Sequence, residues 1–237
     1  MIRAIGFDVG DTLLFYADTP LDWSSCYSDA LAYVARACGV SPGPFQLAEA
    51  ANILGTYNTR LHPRAKEVGA EHIFSLILRL WAAESEERLQ VSIDSFFTFF
   101  QQRMSAYPET LRVLRTLRSA GMRLGALTDV PYGMPMRFVQ RDLDRAGVSA
   151  LLDAVVTSAM VGVRKPEVAG YHALAACLGV SPDQMLYVGN EPKDVTGALR
   201  AGVVSAFLDR AEAGGKHGQT FTISSLDTLH EITCAAL

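Results

Sequence analysis

Apolar residues recur along this chain in two rhythms, and the change from one to the other divides it. A first run, Ala4-Ile5-Gly6-Phe7, has the length of a buried strand and stops at Asp8, where a turn with a second acid and a hydroxyl follows, Val9-Gly10-Asp11-Thr12. After a hinge-like stretch from Phe15 to Pro20 the spacing becomes helical for about ninety residues. Trp23, Cys26, Ala30, Leu31, Val34 and Cys38 recur at threes and fours, and Gly39 supplies a left-handed stop. Ser41-Pro42 restarts the chain into a second helix, from about Phe45 to Leu54. A basic and polar loop, Asn58 to Lys66, separates it from two strongly apolar segments, Ile73 to Trp81 and Val91 to Phe100. These pieces predict an inserted four-helix unit over residues 17–105 with its own small core and no strand of its own.

From Tyr107-Pro108 onward short apolar runs alternate with amphipathic segments, the pattern of a parallel sheet with helices on both faces. A helix around Leu111 to Leu117 closes at Gly121, and a strand over Arg123 to Leu127 ends at Thr128-Asp129. A helix around Phe138 to Ala146 precedes a strand at Ala154 to Thr157, and Arg164-Lys165-Pro166 leads into a helix over Glu167 to Leu178. Met185 to Val188 is a strand that stops at Gly189-Asn190-Glu191. A helix over Asp194 to Ala201, a strand over Val203 to Leu208, a loop at 211–218 and a closing helix from Leu226 complete the chain. Residues 1–16 and 106–237 are thus expected to form one α/β core interrupted by the helical insert.

Asp8, Thr128 and Gly189-Asn190 each stand where a strand ends, and a parallel sheet brings such ends to one edge, where ligands bind. The gathered groups suit phosphoryl transfer. A carboxylate approaching a phosphate dianion meets a repulsion of about 4 kcal/mol at ~4 Å, even at an effective dielectric near ~20. Positive charge has to offset it. Mg²⁺ held by Asp8, a turn carbonyl and Asp194 would do so, with Lys165 as a second cation and the Thr128 hydroxyl holding a phosphoryl oxygen. The chain contains only four lysines among its 237 residues, which makes one at a strand-edge loop harder to read as mere surface charge.

Composition narrows the partners. At 49% hydrophobic content the chain can fill a sizeable core, and its formal charge of −4 comes from scattered acids and bases, with no basic stripe for nucleic acid. No apolar run approaches the roughly 20 residues that a membrane span needs, and strand-forming sequence begins two residues after Met1, so the expected location is the cytosol with no membrane association. Cys26, Cys38, Cys177 and Cys234 are widely spaced and read as buried free thiols. The five histidines lie apart without ligand spacing, and the Phe96 to Phe100 cluster reads as core of the insert.

The ordered set Asp8…Thr12, Thr128, Lys165-Pro166 and Gly189-Asn190-x-x-x-Asp194 resembles the four motifs of the haloacid dehalogenase-like hydrolase superfamily, in its branch with a helical cap inserted after the first motif. The resemblance spans nearly the whole chain and implies a Rossmann-like core with a four-helix cap. It implies an Mg²⁺-dependent phosphatase for a small phosphorylated metabolite, working through an aspartyl-phosphate. Asp8 would be the nucleophile, Thr128, Asp129 and Lys165 would hold the phosphoryl group, and Asp8, Gly10 (through its carbonyl), Asn190 and Asp194 would surround the metal. Arg60, Arg64 and Lys66 on the cap loop would contact substrate.

Two positions depart from the family pattern. Where the family's phosphatases carry a second aspartate as general acid, this chain has Gly10, with Asp11 one residue later as the available acid or base. Asn190 stands where an aspartate is common. A missing general acid favours esters with good leaving groups, since such catalysis is typically worth about 10²–10⁴ in rate. Three other readings keep the same fold: a 2-haloacid dehalogenase, which also lacks the second acid and would use Arg60 or Arg64 for halide; a carbon–phosphorus hydrolase with Lys66 forming an imine; and a catalytically weak phospho-ligand-binding protein.

Overall fold

A computed structural model of the chain describes residues 1–17, 19–100 and 104–235, with side chains described through Thr233. The first apolar run is strand β1, Ala4–Phe7, buried at every residue. The chain turns and returns as β2, Leu14–Tyr16. Four helices follow, α1 (Tyr27–Ala37), α2 (Pro44–Tyr57), α3 (Ala70–Leu80) and α4 (Glu86–Phe100). Strand β3, Met104–Ala106, then pairs antiparallel with β2, so this short ribbon joins the two ends of the insert. Helix α1 packs on α2 and α4, and α3 packs on the same two, which closes the bundle. Its centre is aromatic: the ring of Phe96 lies 5.1 Å from Phe74, 5.3 Å from Phe97 and 5.0 Å from Phe100.

The rest of the chain alternates as its pattern predicts. In order come α5 (Thr110–Ser119), β4 (Arg123–Thr128), α6 (Met136–Arg145), β5 (Ala154–Thr157), α7 (Ser158–Val161), α8 (Ala169–Cys177) and β6 (Met185–Gly189). Helix α9 (Pro192–Arg200), β7 (Val204–Leu208), β8 (Phe221–Ile223) and α10 (Leu229–Ala235) finish it. The sheet has the order β5-β4-β1-β6-β7-β8, and every pairing in it is parallel. From β1 the chain builds outward through β4 and β5, then crosses over and builds the other way through β6, β7 and β8. The strand order therefore reverses beside β1, which opens a crevice at the carboxyl ends of β4, β1 and β6. Among the described residues no helix is long and apolar enough to cross a membrane.

Several expectations need correction. The ribbon β2–β3 and strand β8 have no counterpart in the sequence reading, because each strand is three residues long and too short to display a period. Helix α8 starts at Ala169 rather than Glu167. Of the three cysteines with described side chains only Cys38 is buried; Cys26 is half-buried and Cys177 exposed, while the side chain of Cys234 lies outside the described residues.

The insert is joined to the core by backbone as well as side chains. Glu67 N donates to Gly162 O at 2.9 Å and Arg164 N donates to Ala65 O at 2.8 Å, a short antiparallel bridge centred on Lys66 and Val163. Nearby, Gly133 has φ +65°, and a Cβ there would come within 2.1 Å of Val68 O and 2.7 Å of Ala70 N. Only glycine allows the two backbones to meet so closely. Gly133→Ala is therefore expected to destabilise the protein by about 2 kcal/mol or more. Gly55→Ala, in helix α2 with open space around the new methyl group, should be neutral or stabilising by up to ~1 kcal/mol. Urea unfolding midpoints of the two variants check this.

Candidate active site

Asp8 continues from β1, its N–H donating to Val188 O at 2.8 Å, so its position is fixed by the sheet itself. The turn after it is held by bonds from the Leu13 and Leu14 N–H groups to Val9 O, both 3.0 Å, and by Arg210, which donates to Thr12 O at 3.0 Å. On the far side of β1, β6 ends at Gly189, and a Cβ there would lie 2.4 Å from Asp194 Cγ. The absence of a side chain at Gly189 lets Asp194, in the first turn of α9, tuck against the strand end. There Asp194 Oδ2 accepts from Glu191 N at 2.9 Å and caps its own helix.

Lys165 lies between the two acids. Its ammonium is 2.5 Å from Asp8 Oδ1 and 2.7 Å from Asp194 Oδ1, and it also donates to Tyr187 Oη at 3.2 Å. The Tyr187 hydroxyl in turn donates to Leu127 O at 2.8 Å. Lys165 and Asp194 side chains are only 2% and 1% exposed, so neither charge can be left to water. Burial works against the charged ammonium, but Asp194 and Asp8 outweigh it and keep Lys165 protonated far above its ordinary range. Burial pushes Asp8 up to about 7; Lys165 opposes this, while the neighbouring Asp194 charge adds to it.

Around this centre a second set of charges alternates in sign. Asp129 Oδ1 accepts from Lys165 N at 3.0 Å, and its Oδ2 lies 3.1 Å from Lys193 Nζ. Lys193 also pairs with Glu191 at 2.6 Å, and Arg60 of the insert pairs with the same Glu191 across the mouth of the crevice. Burial disfavours ionised Glu191, but Lys193 and Arg60 overcome it and hold its carboxyl at about 2. Arg164, buried, binds Glu67 of the insert and donates to Val130 O at 2.7 Å, while Ser158 donates to Glu67 at 2.5 Å.

A cavity of about 470 Å³ opens over these groups. Asp8, Gly10, Asp11, Thr128, Asp129, Lys165, Asn190, Arg60 and Arg64 all line it, so nine of the positions expected from sequence meet in one place. Asp194 lies just behind, screened by Lys165. Lys66 is exposed and does not line the cavity, so neither a substrate contact nor the imine-forming reading gains support from its position. The Asp129 carboxylate is engaged by the Lys193 ammonium and by the Lys165 backbone N–H. Arg64 turns inward, donating to Tyr57 O at 2.7 Å and pairing with Glu67 at 3.3 Å.

Lys193, Arg164, Glu67 and Tyr187 were not singled out from the sequence. Lys193 carried one usable signal, its place between Glu191 and Asp194 at the start of a helix whose strand ends in the site. Asn190 accepts from the Thr12 hydroxyl at 3.3 Å, joining the β6 end to the turn after Asp8.

The donor set can be tested against Mg²⁺. No group of three or more His, Cys, Asp or Glu side chains gathers for a metal among the described residues. Asp8 and Asp194 form a two-carboxylate set, and Mg²⁺ is commonly held by one or two carboxylates, the remaining positions going to water and substrate phosphate. Asp194 Oδ1 is buried and, apart from its ion pair with Lys165, accepts no well-directed hydrogen bond. These residues fit the ion.

A family model for haloacid dehalogenase-like hydrolases matches residues 2–202. The chain belongs to the haloacid dehalogenase-like hydrolases. A glyceraldehyde 3-phosphate phosphatase from Methanopyrus kandleri is 30% identical over 220 residues, 90% of this chain and 86% of that protein. A phosphoglycolate phosphatase from Rhodospirillum rubrum is 40% identical over 99 residues, 42% of this chain and 39% of that protein. Among solved structures, a 2-haloacid dehalogenase from Pseudomonas syringae pv. Tomato DC3000 aligns over all of both chains with a TM-score of 0.71 at 20% identity. A HAD phosphatase from Thermococcus onnurineus aligns over 98% of each chain with a TM-score of 0.65 at 22% identity. These structural likenesses establish the fold.

The perturbed Asp8 has a consequence for stability in the metal-free hydrolase. An acid whose folded pKa, about 7, lies above its ordinary 3.8 holds its proton longer in the folded state than in the unfolded one. Stability contributed by Asp8 is therefore present below about pH 4 and declines as pH rises toward 7. Asp8→Asn is expected to stabilise the EDTA-treated protein at pH 8 by about 1 kcal/mol or more, with the gain fading toward pH 4. Urea denaturation at the two pH values measures it.

Proposed function

We propose that this hydrolase is an Mg²⁺-dependent phosphatase of a small phosphorylated metabolite, with residues 17–105 acting as the cap over its site. The observation that carries this reading is the buried Lys165 ammonium between the Asp8 and Asp194 carboxylates at the foot of a single cavity. The phosphatase names of its relatives support it.

Asp8 has an open face toward the cavity and a fixed backbone, so its carboxylate can attack a phosphoryl phosphorus placed above it. The bond from phosphorus to the ester oxygen breaks, that oxygen leaves with the electron pair and takes up a proton to become the alcohol, and water then hydrolyses the aspartyl-phosphate, releasing inorganic phosphate and regenerating Asp8. Lys165 offsets charge on the transferring group, and the Thr128 hydroxyl, at the end of β4, is placed to hold one of its oxygens. Bound between Asp8, the Gly10 carbonyl, Asn190 and Asp194, Mg²⁺ would neutralise phosphoryl charge. Asp11 also lines the cavity; burial and the nearby Glu191 raise its pKa, while Arg60 and Arg210 oppose them. That direction suits an acid that keeps a proton to donate.

Phosphate release from a phosphomonoester panel tests the proposal. Activity should require Mg²⁺, be abolished by EDTA, and fall at least ~10³-fold in Asp8→Asn. Turnover of 2-chloropropionate without metal, or binding of phosphomonoesters with no release, would replace this reading with the dehalogenase or the binding-protein one.

The turn after Asp8 offers a sharper variant. Asp11 has φ +56°, whereas a Cβ at Gly10 would meet nothing within 4 Å. The exchange Gly10→Asp with Asp11→Gly puts glycine at the left-handed position and a carboxylate two residues after the nucleophile without a clash. It should raise kcat on alkyl phosphates by about 10²-fold and change aryl phosphates far less. Rates plotted against leaving-group pKa give the comparison.

A further inference from the structure

Away from Asp8 one wall of the cavity is aromatic and apolar, and several polar groups beside it are committed to one another. Trp23 stacks on Phe100 with ring centroids 3.9 Å apart and planes 7° from parallel, and Tyr132 lies 5.5 Å from Trp23. Met134 and Val139 extend the same wall. The polar atoms in this region bond to each other. The Tyr132 and Tyr27 hydroxyls share a hydrogen bond of 2.5 Å, and Asn58 donates to Asp22 at 2.6 Å and to Tyr27 at 3.0 Å while accepting from Arg60 N at 2.9 Å. Tyr132 and Asn58 thus present ring and carbon surface to the cavity.

Among the described residues, the two insert cations that line the cavity, Arg60 and Arg64, are engaged too. Both terminal nitrogens of Arg64 are taken by Tyr57 O and Glu67, and Arg60 is paired with Glu191. A second anionic group on a substrate would therefore have to displace Glu191 from Arg60. The volume, about 470 Å³, falls within the range that houses whole organic ligands, larger than a two- or three-carbon phosphate fills.

We infer that the substrate's organic part is a neutral, apolar, ring-sized group, a benzyl- or phenyl-like alcohol ester of phosphate, seated against Trp23 and Tyr132. This rests on the phosphatase reading and departs from the small polar phosphates named for the relatives. A flat ring gains contact area along the aromatic wall at little entropic cost, whereas a carboxylate there would lose its water without gaining a free cation among the described residues.

Benzyl phosphate, ethyl phosphate and phosphoglycolate, all phosphate esters of primary alcohols, separate binding from leaving-group chemistry. The expected kcat/KM for benzyl phosphate exceeds that for each of the other two by at least ~10-fold, mainly through KM, and Trp23→Ala lowers the benzyl-to-ethyl ratio about tenfold. Independently of turnover and of any variant's folding, calorimetric titration of the unaltered chain with Mg²⁺ should show phenylphosphonate binding at least ~10-fold more tightly than phosphonoacetate. Phosphonoacetate binding as well or better, no binding of either phosphonate, or equal rates on the three esters would overturn the inference. Equal rates leave the phosphatase reading intact, whereas no phosphate release from any ester overturns that reading and the substrate assignment with it, even where phenylphosphonate still binds preferentially.

Discussion

Two carboxylates that the sheet forces together at a buried edge repel each other, and one lysine between them makes the arrangement tolerable. Asp8 and Asp194 come from sites nearly the whole chain apart, yet both lie within 2.7 Å of the Lys165 ammonium. An ion group with so little exposure is weak evidence for stability, because desolvation consumes most of the Coulomb attraction. Its value is chemical. One cation against two acids leaves the centre negative, and the surrounding cations are themselves matched: Lys193 with Asp129 and Glu191, Arg164 with Glu67, Arg60 with Glu191. A phosphate dianion entering this field calls for further positive charge, the electrostatic reason that a divalent ion suits the site.

The position of Lys165 depends on the insert as well as the core. Arg164, its neighbour, is tied through its side chain to Glu67 and through its N–H to Ala65, both on the insert loop. Lys165 N is tied to Asp129 at the end of β4. The loop carrying the central ammonium is therefore clamped between a sheet strand and the helical segment. The aromatic cavity wall and the Asp8–Lys165 centre are set by the same contacts, so a shift of the insert would move Lys165 along with the aromatic surface.

Much of this was readable in the chain because strand ends are easy to recognise and a parallel sheet gathers them. Asp8, Thr128 and Asn190 each follow an apolar run of strand length, and Lys165 precedes a helix; topology then brings them together without any knowledge of side-chain direction. What escaped is what depends on direction. Arg60, Arg64 and Lys66 read alike as substrate contacts on one basic loop, yet the loop turns Arg60 across the mouth, folds Arg64 inward and leaves Lys66 outside, while Glu67 reaches the core. Tyr187, in the middle of β6, looks like any apolar strand residue until its hydroxyl is found beside Lys165. The three-residue ribbon that joins the ends of the insert carries no period at all.

The turn after Asp8 departs from local backbone preference. Its backbone needs a left-handed residue at position 11, which glycine would fill without strain, and the chain puts its glycine at position 10 and an aspartate at 11 instead. Aspartate is among the non-glycine residues that tolerate this conformation best, so the cost is modest, of order 1 kcal/mol. The carboxylate that results lines the cavity near Glu191, Arg60 and Arg210, where burial raises its pKa. An acid held there at a small conformational cost is more than a turn requires, since asparagine or glycine would satisfy the backbone as well. The residue order therefore puts an ionisable group on the cavity wall that the turn itself does not require.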